Sequence, residues 1–267
     1  MGDSRPIGIF DSGIGGLTVA HAIRTLLPRE RLVYFGDTAH LPYGDKSEAA
    51  IQAYSIRIAD YLYYKGCKLI VIACHSASSA AYELLKEYIR KVNIINVIDP
   101  MIEYLAENYA GKSIGLIGTR RTVQSGVYTR KLEETGKNIT LHALATPLLA
   151  PMIEEGFFNN RISHEIIAGY LSAHELKHIQ ALILACTHYP LIRKEIEAFY
   201  NGQTHVLDSA EIAAHAVARY LKENSLLNDT TPEPDEFLVS DYTEAFESAT
   251  RLFFGRQVKL QKQVLWD

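Results

Sequence analysis

Cysteine is scarce in this sequence: Cys67, Cys74 and Cys186 are the only three among 267 residues. So small and odd a set is no disulfide framework. It indicates a reduced, cytoplasmic protein whose thiols are free for chemistry. The opening stretch, Met1-Gly-Asp-Ser-Arg-Pro-Ile-Gly-Ile-Phe10, lacks the basic start and apolar core of a signal peptide. No apolar run approaches the roughly 20 residues that a transmembrane helix needs. A surplus of positive charge is missing too. With 27 Lys and Arg against 31 Asp and Glu, the net charge is −4. That balance gives neither a nucleic acid nor an anionic membrane an electrostatic reason to bind. Low-complexity segments are absent, which leaves the whole chain for one large or two small globular domains.

What the sequence does contain is a regular alternation. Apolar, β-branched runs predict strands at Pro6–Phe10, Arg31–Phe35, Leu69–Ala73, Ile94–Val97, Ser113–Ile117, Ile139–Ala143, Ala181–Ala185, Thr204–Leu207 and Phe237–Ser240. Several are uniformly apolar, as parallel strands covered on both faces are. Between them, 3.6-residue periodicity predicts helices at Leu17–Leu27, Ser47–Lys65, Ser78–Arg90 and Ser209–Asn224, with Ser47 and Ser209 as N-caps. The expected class is α/β, with two similar lobes. Each is a mostly parallel sheet flanked by helices, and the active site lies in the cleft between them. Asp99-Pro100 and Asp208-Ser209 mark the crossovers. Residues 1–98 with 208–267 form the first lobe, and residues 99–207 the second.

Two stretches say nearly the same thing. Lys68-Leu-Ile-Val-Ile-Ala-Cys74-His-Ser-Ala and Ala181-Leu-Ile-Leu-Ala-Cys186-Thr-His-Tyr-Pro190 each run from a buried strand into a cysteine and a small polar turn. Ligands of open α/β sheets bind at the carboxyl ends of strands. Two thiols delivered there by two halves of a chain can face one another across a small substrate. A free thiol has a pKa near about 8.5, and a helix N-terminus lowers it. Cys74 precedes the predicted third helix, so thiolate is favoured there. Cys186 has His188 two residues on as a base or orienter. Cys67 lacks such a context and is assigned to packing. A lone strand-end cysteine is more often structural; the matched pair is what points to chemistry.

Other strand tips add candidates. Ile9-Phe-Asp11-Ser12-Gly-Ile-Gly-Gly-Leu-Thr18 is a strand, a glycine-rich turn and a helix start. It fits neither the dinucleotide fingerprint nor a P-loop, so a small carboxylate is favoured over a nucleotide. Its bland alternative is a tight turn with Asp11 capping the helix. The loop after the second strand brings Tyr43 as a pocket wall and Gly44 as an open amide. The bland alternative there is a surface turn. Thr119 opens a helix as its cap, and Thr122 offers a hydroxyl. Glu154 and Glu155 read as a solvated helix face, unless Glu154 pairs with His188. Two other chemistries stay open at this level. Cys74, His75, Cys186 and His188 make a possible zinc set, although their spacings are not those of usual structural sites. Cys74 with His188 also makes a Cys-His hydrolase pair, which leaves the second thiol unused.

Taken together, these motifs identify a resemblance. Ile9–Thr18, Tyr34-Phe-Gly-Asp-Thr-Ala-His-Leu-Pro-Tyr-Gly44, Ile72-Ala-Cys, Ile117-Gly-Thr119 and Leu184-Ala-Cys-Thr-His-Tyr-Pro190 occur in order along the chain. In this the chain resembles the cofactor-independent glutamate racemases of the aspartate/glutamate racemase superfamily. The resemblance implies interconversion of L- and D-glutamate for peptidoglycan synthesis, by a homodimer that uses neither pyridoxal phosphate nor metal. It implies Cys74 and Cys186 as the two bases, with Asp11 assisting the first and Glu154 and His188 the second. It implies substrate contacts from Asp11, Ser12, Tyr43, Gly44, His75, Ser76, Thr119, Thr187 and His188. One departure stands out: the family usually has Asn-Thr after the first cysteine, and this chain has His75-Ser76. The serine keeps the hydroxyl. A histidine is expected to titrate near neutral pH and, when charged, to make Cys74 more acidic and hold a substrate carboxylate. Two other readings remain: a racemase of another acidic amino acid such as aspartate, and an impaired relative that mainly binds its ligand.

Overall fold

The computed structural model describes residues 2–266. Ten strands form two sheets in which every pairing is parallel. In chain order they are β1 (Ile7–Asp11), β2 (Leu32–Gly36), β3 (Leu69–Ile72), β4 (Asn93–Asn96), β5 (Ser113–Gly118), β6 (Thr140–Ala145), β7 (Ala181–Ala185), β8 (His205–Asp208), β9 (Glu236–Val239) and β10 (Gln261–Lys262). The first sheet runs β10-β9-β2-β1-β3-β4 and the second β6-β5-β7-β8. All nine strands expected from the sequence are present, with ends shifted by a residue or two. The tenth, β10, has no apolar signature: it is two exposed polar residues added to an edge.

The sequence repeat corresponds to a repeat of topology. Strands β2-β1-β3-β4 and β6-β5-β7-β8 share one order, the first strand of each half lying beside its second and its third. Strand order therefore reverses between β1 and β3, and again between β5 and β7. Each reversal opens a crevice at the carboxyl ends. Cys74 follows β3 and Cys186 follows β7, so each half delivers its thiol at the equivalent crevice.

Alternation along the strands divides the core. Ile7, Ile9, Leu32, Tyr34, Leu69 and Val71 face one cluster, while Phe10, Val33, Phe35, Ile70 and Ile72 face another. The first of these clusters also takes in Leu182, Leu184 and Tyr189 of the second half, and Phe253 near the end of the chain. The two sheets thus share one body of buried apolar side chains, and this sets their mutual placement beneath the cleft. The opposite face of the second sheet packs Ile114, Leu116, Ile183 and Ala185 against the helices Asp99–Asn108 and Val127–Glu134.

Two helix starts differ from the sequence expectation. The helix expected from Ser78 begins at His75 and is capped by Cys74, whose sulfur accepts from the Ala77 amide at 3.4 Å. A cysteine is not among the usual caps, so local pattern could not locate this start. The expected cap Ser209 is the first residue inside its helix. Asp208 is the cap and accepts from the Ala210 amide at 2.8 Å. Ser47 is the cap of helix Glu48–Tyr64, as expected.

Lys68, at the start of β3, has a fully buried side chain and forms an ion pair with Glu30 at 2.6 Å, off the hydrogen-bonding direction. Its ammonium also donates to the carbonyls of Asp3 and Leu226, and so ties the amino-terminal segment to the strand that carries Cys74. Removing one partner of a buried pair leaves an uncompensated charge. Lys68→Met is therefore expected to destabilise the protein by about 3–5 kcal/mol in urea denaturation.

Candidate active site

Ser12, Tyr43, Gly44, Cys74, His75, Ser76, Thr119, Glu154, Cys186, Thr187 and His188, all singled out in the sequence, line one cavity between the sheets. Leu41, Pro42, Ala150, Pro151 and Ala185 complete its wall. The cavity measures about 70 Å³, space for a few waters or a compact solute. A larger cavity of about 570 Å³, lined by Thr18, His21 and His215 among others, contains neither of the strand-tip thiols. Chemistry rather than volume therefore locates the site.

On the first side, Asp11 ends β1 and is completely buried. Its Oδ2 accepts from the amides of Gly13 at 3.2 Å and Gly16 at 2.9 Å, while Oδ1 has no partner. Asp11 therefore ties down the loop before the helix, whose N-cap is Gly16 with no side-chain cap, and does so with only one oxygen. Burial raises the Asp11 pKa, opposed by the charge of His188 and by the loop amides. The Cys74 thiol points to the Ser12 hydroxyl at 3.7 Å. The sequence favoured a thiolate here, and the structure reverses that. Burial, reinforced by the Asp11 charge, pushes Cys74 up to about 12 against the help of the Ala77 amide and Ser12. The start of one helix does not compensate for the loss of water.

The second side is built differently. His188 places Nδ1 3.6 Å from the Cys186 sulfur and Nε2 2.8 Å from Glu154 Oε1. Glu154, at the end of helix Leu149–Glu154, is partly buried, whereas Glu155 is exposed. The solvated-face reading therefore holds only for Glu155. Burial works against a charged His188, but the Cys186 sulfur and Glu154 outweigh it and raise its pKa to about 10. The ring is fixed edge-on to Phe253 at 5.3 Å. Gly15 lies so close that a Cβ on it would collide with the His188 ring and the Thr187 hydroxyl. That contact explains a glycine in the first loop through a residue of the other sheet.

Hydroxyls join the two sides. Ser76 Oγ lies 2.9 Å from Thr119 Oγ1, and Thr18 donates to the Thr187 carbonyl at 2.9 Å. Thr119 caps its short helix through the Thr122 amide. Thr122 turns its hydroxyl to Thr119 at 3.1 Å and does not line the cavity. Gly44 packs against Thr119 so closely that a Cβ would sit 3.0 Å from the threonine Cβ. Tyr43 forms wall as expected, but its hydroxyl is held by Asp37 at 2.6 Å.

Asp37 was missed in the sequence. It is fully buried just past β2 and also accepts from Ser240 at 2.7 Å, with His40 Nδ1 at 2.8 Å. The strand-tip rule that found Asp11 would have found it. His75 departs further from expectation. Its ring is fully buried, Nε2 lies 3.2 Å from Ser209 Oγ, and burial pushes its pKa down to about 3. It is neutral at neutral pH, so it neither acidifies Cys74 nor attracts a carboxylate by charge. Cys67 packs in the core near Gly8 and Leu62, with burial raising its pKa to about 12. Among the described residues, no group of three His, Cys, Asp or Glu side chains is placed to hold a metal ion; the zinc set is not assembled.

The two histidines give opposite dependences on pH. His75 is depressed, so its contribution is full above the unfolded value of about 6.5 and is lost as pH falls toward about 3, because unfolding then takes up a proton. His188 is raised, so its contribution is full below about 6.5 and is lost as pH climbs through about 10. His75→Asn is therefore expected to flatten the fall in Tm from about pH 7 to about pH 4, read by thermal denaturation beside the parent protein.

Comparison with known proteins follows this geometry. The sequence model of the family described as Asp/Glu/Hydantoin racemase matches residues 17–217. The glutamate racemase of Aquifex pyrophilus is 40% identical to this chain, over 97% of it and 98% of the relative. That of Chlorobaculum parvum is 38% identical over 97% and 95%. A crystal structure of glutamate racemase from Francisella tularensis subsp. tularensis SCHU S4, in complex with D-glutamate, is similar with a TM-score of 0.92. It is 35% identical and the match covers 98% of both chains.

Proposed function

The chain belongs to the Asp/Glu/hydantoin racemase family, and from that premise we propose that it interconverts L- and D-glutamate by a two-thiol mechanism. The observation that carries the reading is the pair Cys74 and Cys186, brought by equivalent strands to the wall of one chemistry-lined cavity. One sulfur, as thiolate, takes the α-proton. The opposite sulfur, as thiol, returns a proton to the other face, and the products leave the two sulfurs with exchanged protonation states. The carbanion-like centre is stabilised by fixed donors in a water-poor cleft. Ser76, Thr119 and Thr187 supply hydroxyls for the substrate's carboxylates.

The two thiols are served unequally. Cys74 is a buried neutral thiol with Asp11 and Ser12 behind it, in the protonated state that a donor needs. Cys186 adjoins a His188–Glu154 pair able to hold a proton at neutral pH. Deprotonation is thus best prepared on the Cys186 side, and reprotonation on the Cys74 side. The reverse direction must first move a proton from Cys74. A hydrolase leaves one of these sulfurs without a task, so racemisation accounts for more of the site.

The finer points belong to the same proposal. The lobes are residues 1–98 with 208–267, and 99–207. The protein acts as a cytoplasmic homodimer and supplies D-glutamate for peptidoglycan, without a cofactor. Among the described residues, no helix is long and apolar enough to cross a membrane, which is compatible with that setting.

Solvent-deuterium exchange at the α-carbon of each enantiomer, followed alongside circular dichroism, tests the reading. Cys74→Ser and Cys186→Ser are each expected to lower racemisation by at least about 10²-fold, the low end for a lost acid or base. Cys67→Ser should keep most activity. Full turnover in either of the first two variants would refute the two-thiol mechanism.

A further inference from the structure

Asp208 caps the helix Ser209–Glu223, so the hydroxyl of Ser209 is free for another task. Ser209 is buried where the chain leaves β8 for that helix. Its Oγ donates to the Leu184 carbonyl at 3.0 Å and lies 3.2 Å from His75 Nε2. A serine hydroxyl has one proton to give. With that proton on Leu184, the oxygen accepts from the ring, so His75 carries its proton on Nε2. Burial keeps the ring uncharged, and the link therefore has the same direction across the neutral range.

The two ends of this link belong to the two sheets. His75 directly follows Cys74 and opens the helix that the Cys74 sulfur caps. Leu184 lies in β7, two residues before Cys186. One hydroxyl thus holds together the segments that carry the two sulfurs. Ser76 with Thr119, and Thr18 with the Thr187 carbonyl, join residues beyond the strand tips; Ser209 reaches the strand itself. Neither Ser209 nor Leu184 lines the cavity, so any effect of the serine on the reaction passes through its two partners.

We propose that Ser209 is a positioning residue for racemisation, whose hydroxyl sets the distance and direction between the Cys74 and Cys186 sulfurs. The inference rests on the racemase reading and adds to it what fixes the two sulfurs relative to each other. Removing the hydroxyl leaves a buried carbonyl and a buried ring N–H without partners. Each must shift to find another, and each carries a neighbouring sulfur with it. Proton transfer between sulfur and carbon is sensitive to that, since a misplacement of about 1 Å costs about a hundredfold in rate. The hydroxyls that line the cavity are disturbed less, so the loss falls on kcat rather than KM.

Racemisation of D-glutamate by the parent and three variants tests the proposal, with rates referred to folded protein by circular dichroism. Ser209→Ala deletes both bonds. It is expected to lower kcat roughly tenfold, with KM changed by less than about twofold. Ser209→Thr keeps a hydroxyl and should restore most of kcat. Ser209→Cys is close to serine in shape but bonds weakly. Its kcat should fall between the two, and it decides if Ser209→Ala does not fold. Nitrogen-15 NMR of the parent should show His75 protonated on Nε2. Unchanged kcat in Ser209→Ala or Ser209→Cys, a rise in KM at constant kcat, a Ser209→Thr variant as slow as Ser209→Ala, or a ring proton on Nδ1 overturns the proposal. A parent protein that does not racemise glutamate sinks the racemase reading and this role with it. An active parent with unaffected variants sinks this role alone.

Discussion

Removing the cleft from water penalises every charged form within it, and the residues around the cavity are arranged against that penalty. Cys74 is raised to about 12 and His75 lowered to about 3 by the same cause acting on groups of opposite charge type. Asp11 moves up for the same reason. Only His188 runs the other way, because the Cys186 sulfur and the Glu154 carboxylate both contact it. An ionised group in such a place needs a close partner of opposite charge or several donors. Asp11 has two loop amides and the field of His188, and His188 has Glu154. Those few contacts determine where protons reside before any substrate enters.

The same desolvation explains why the loops are tight. Gly15 lets the β1 loop touch the ring of His188, and Gly44 lets the β2 loop touch Thr119. Each contact crosses from one sheet to the other, where a side chain would hold the walls apart and admit water. Asp37 strengthens the second contact from behind. Its carboxylate gathers Tyr43, Ser240 and His40, and so links the loop over the cavity to the end of β9 and, through the edge contact of His40 with Trp266, to the end of the chain. A residue far along the chain thereby bears on the position of the cavity wall.

Much of this was legible in the sequence, for a physical reason. Parallel strands buried on both faces must be apolar throughout, so nine of them announced themselves, and the repeat of strand, cysteine and polar turn marked the third strand of each half. Cys74, Cys186, Tyr43, Gly44 and Thr119 were found because ligands meet α/β sheets at strand tips, while Ser12, Ser76 and Thr187 came only with the family resemblance. What escaped depended on contacts between distant segments or on the loss of water. That Cys74 caps its own helix requires the sulfur's geometry. That His75 is neutral follows from its complete burial. The reference value led to a His75 titrating near neutral pH, and the nearby helix start to a more acidic Cys74; burial overrode both. Two-residue β10 has no pattern to read at all.

The repeated topology and the unequal partners belong together. The proposed mechanism needs two sulfurs on opposite faces of one substrate, and the matching strand orders of two similar halves bring both to the wall of one cavity. A symmetric pair of thiols, however, would have no preferred state: both protonated, neither could take a proton; both ionised, neither could return one. The halves differ where this matters. The first buries its thiol beside the Asp11 carboxylate, and both disfavour ionisation more than the Ala77 amide and the Ser12 hydroxyl favour it. The second sets beside its thiol an imidazole paired to Glu154, whose charged form those two neighbours favour. In the proposed mechanism, fold symmetry sets the geometry of the exchange, and the unequal partners of the two sulfurs give its two directions different starting points.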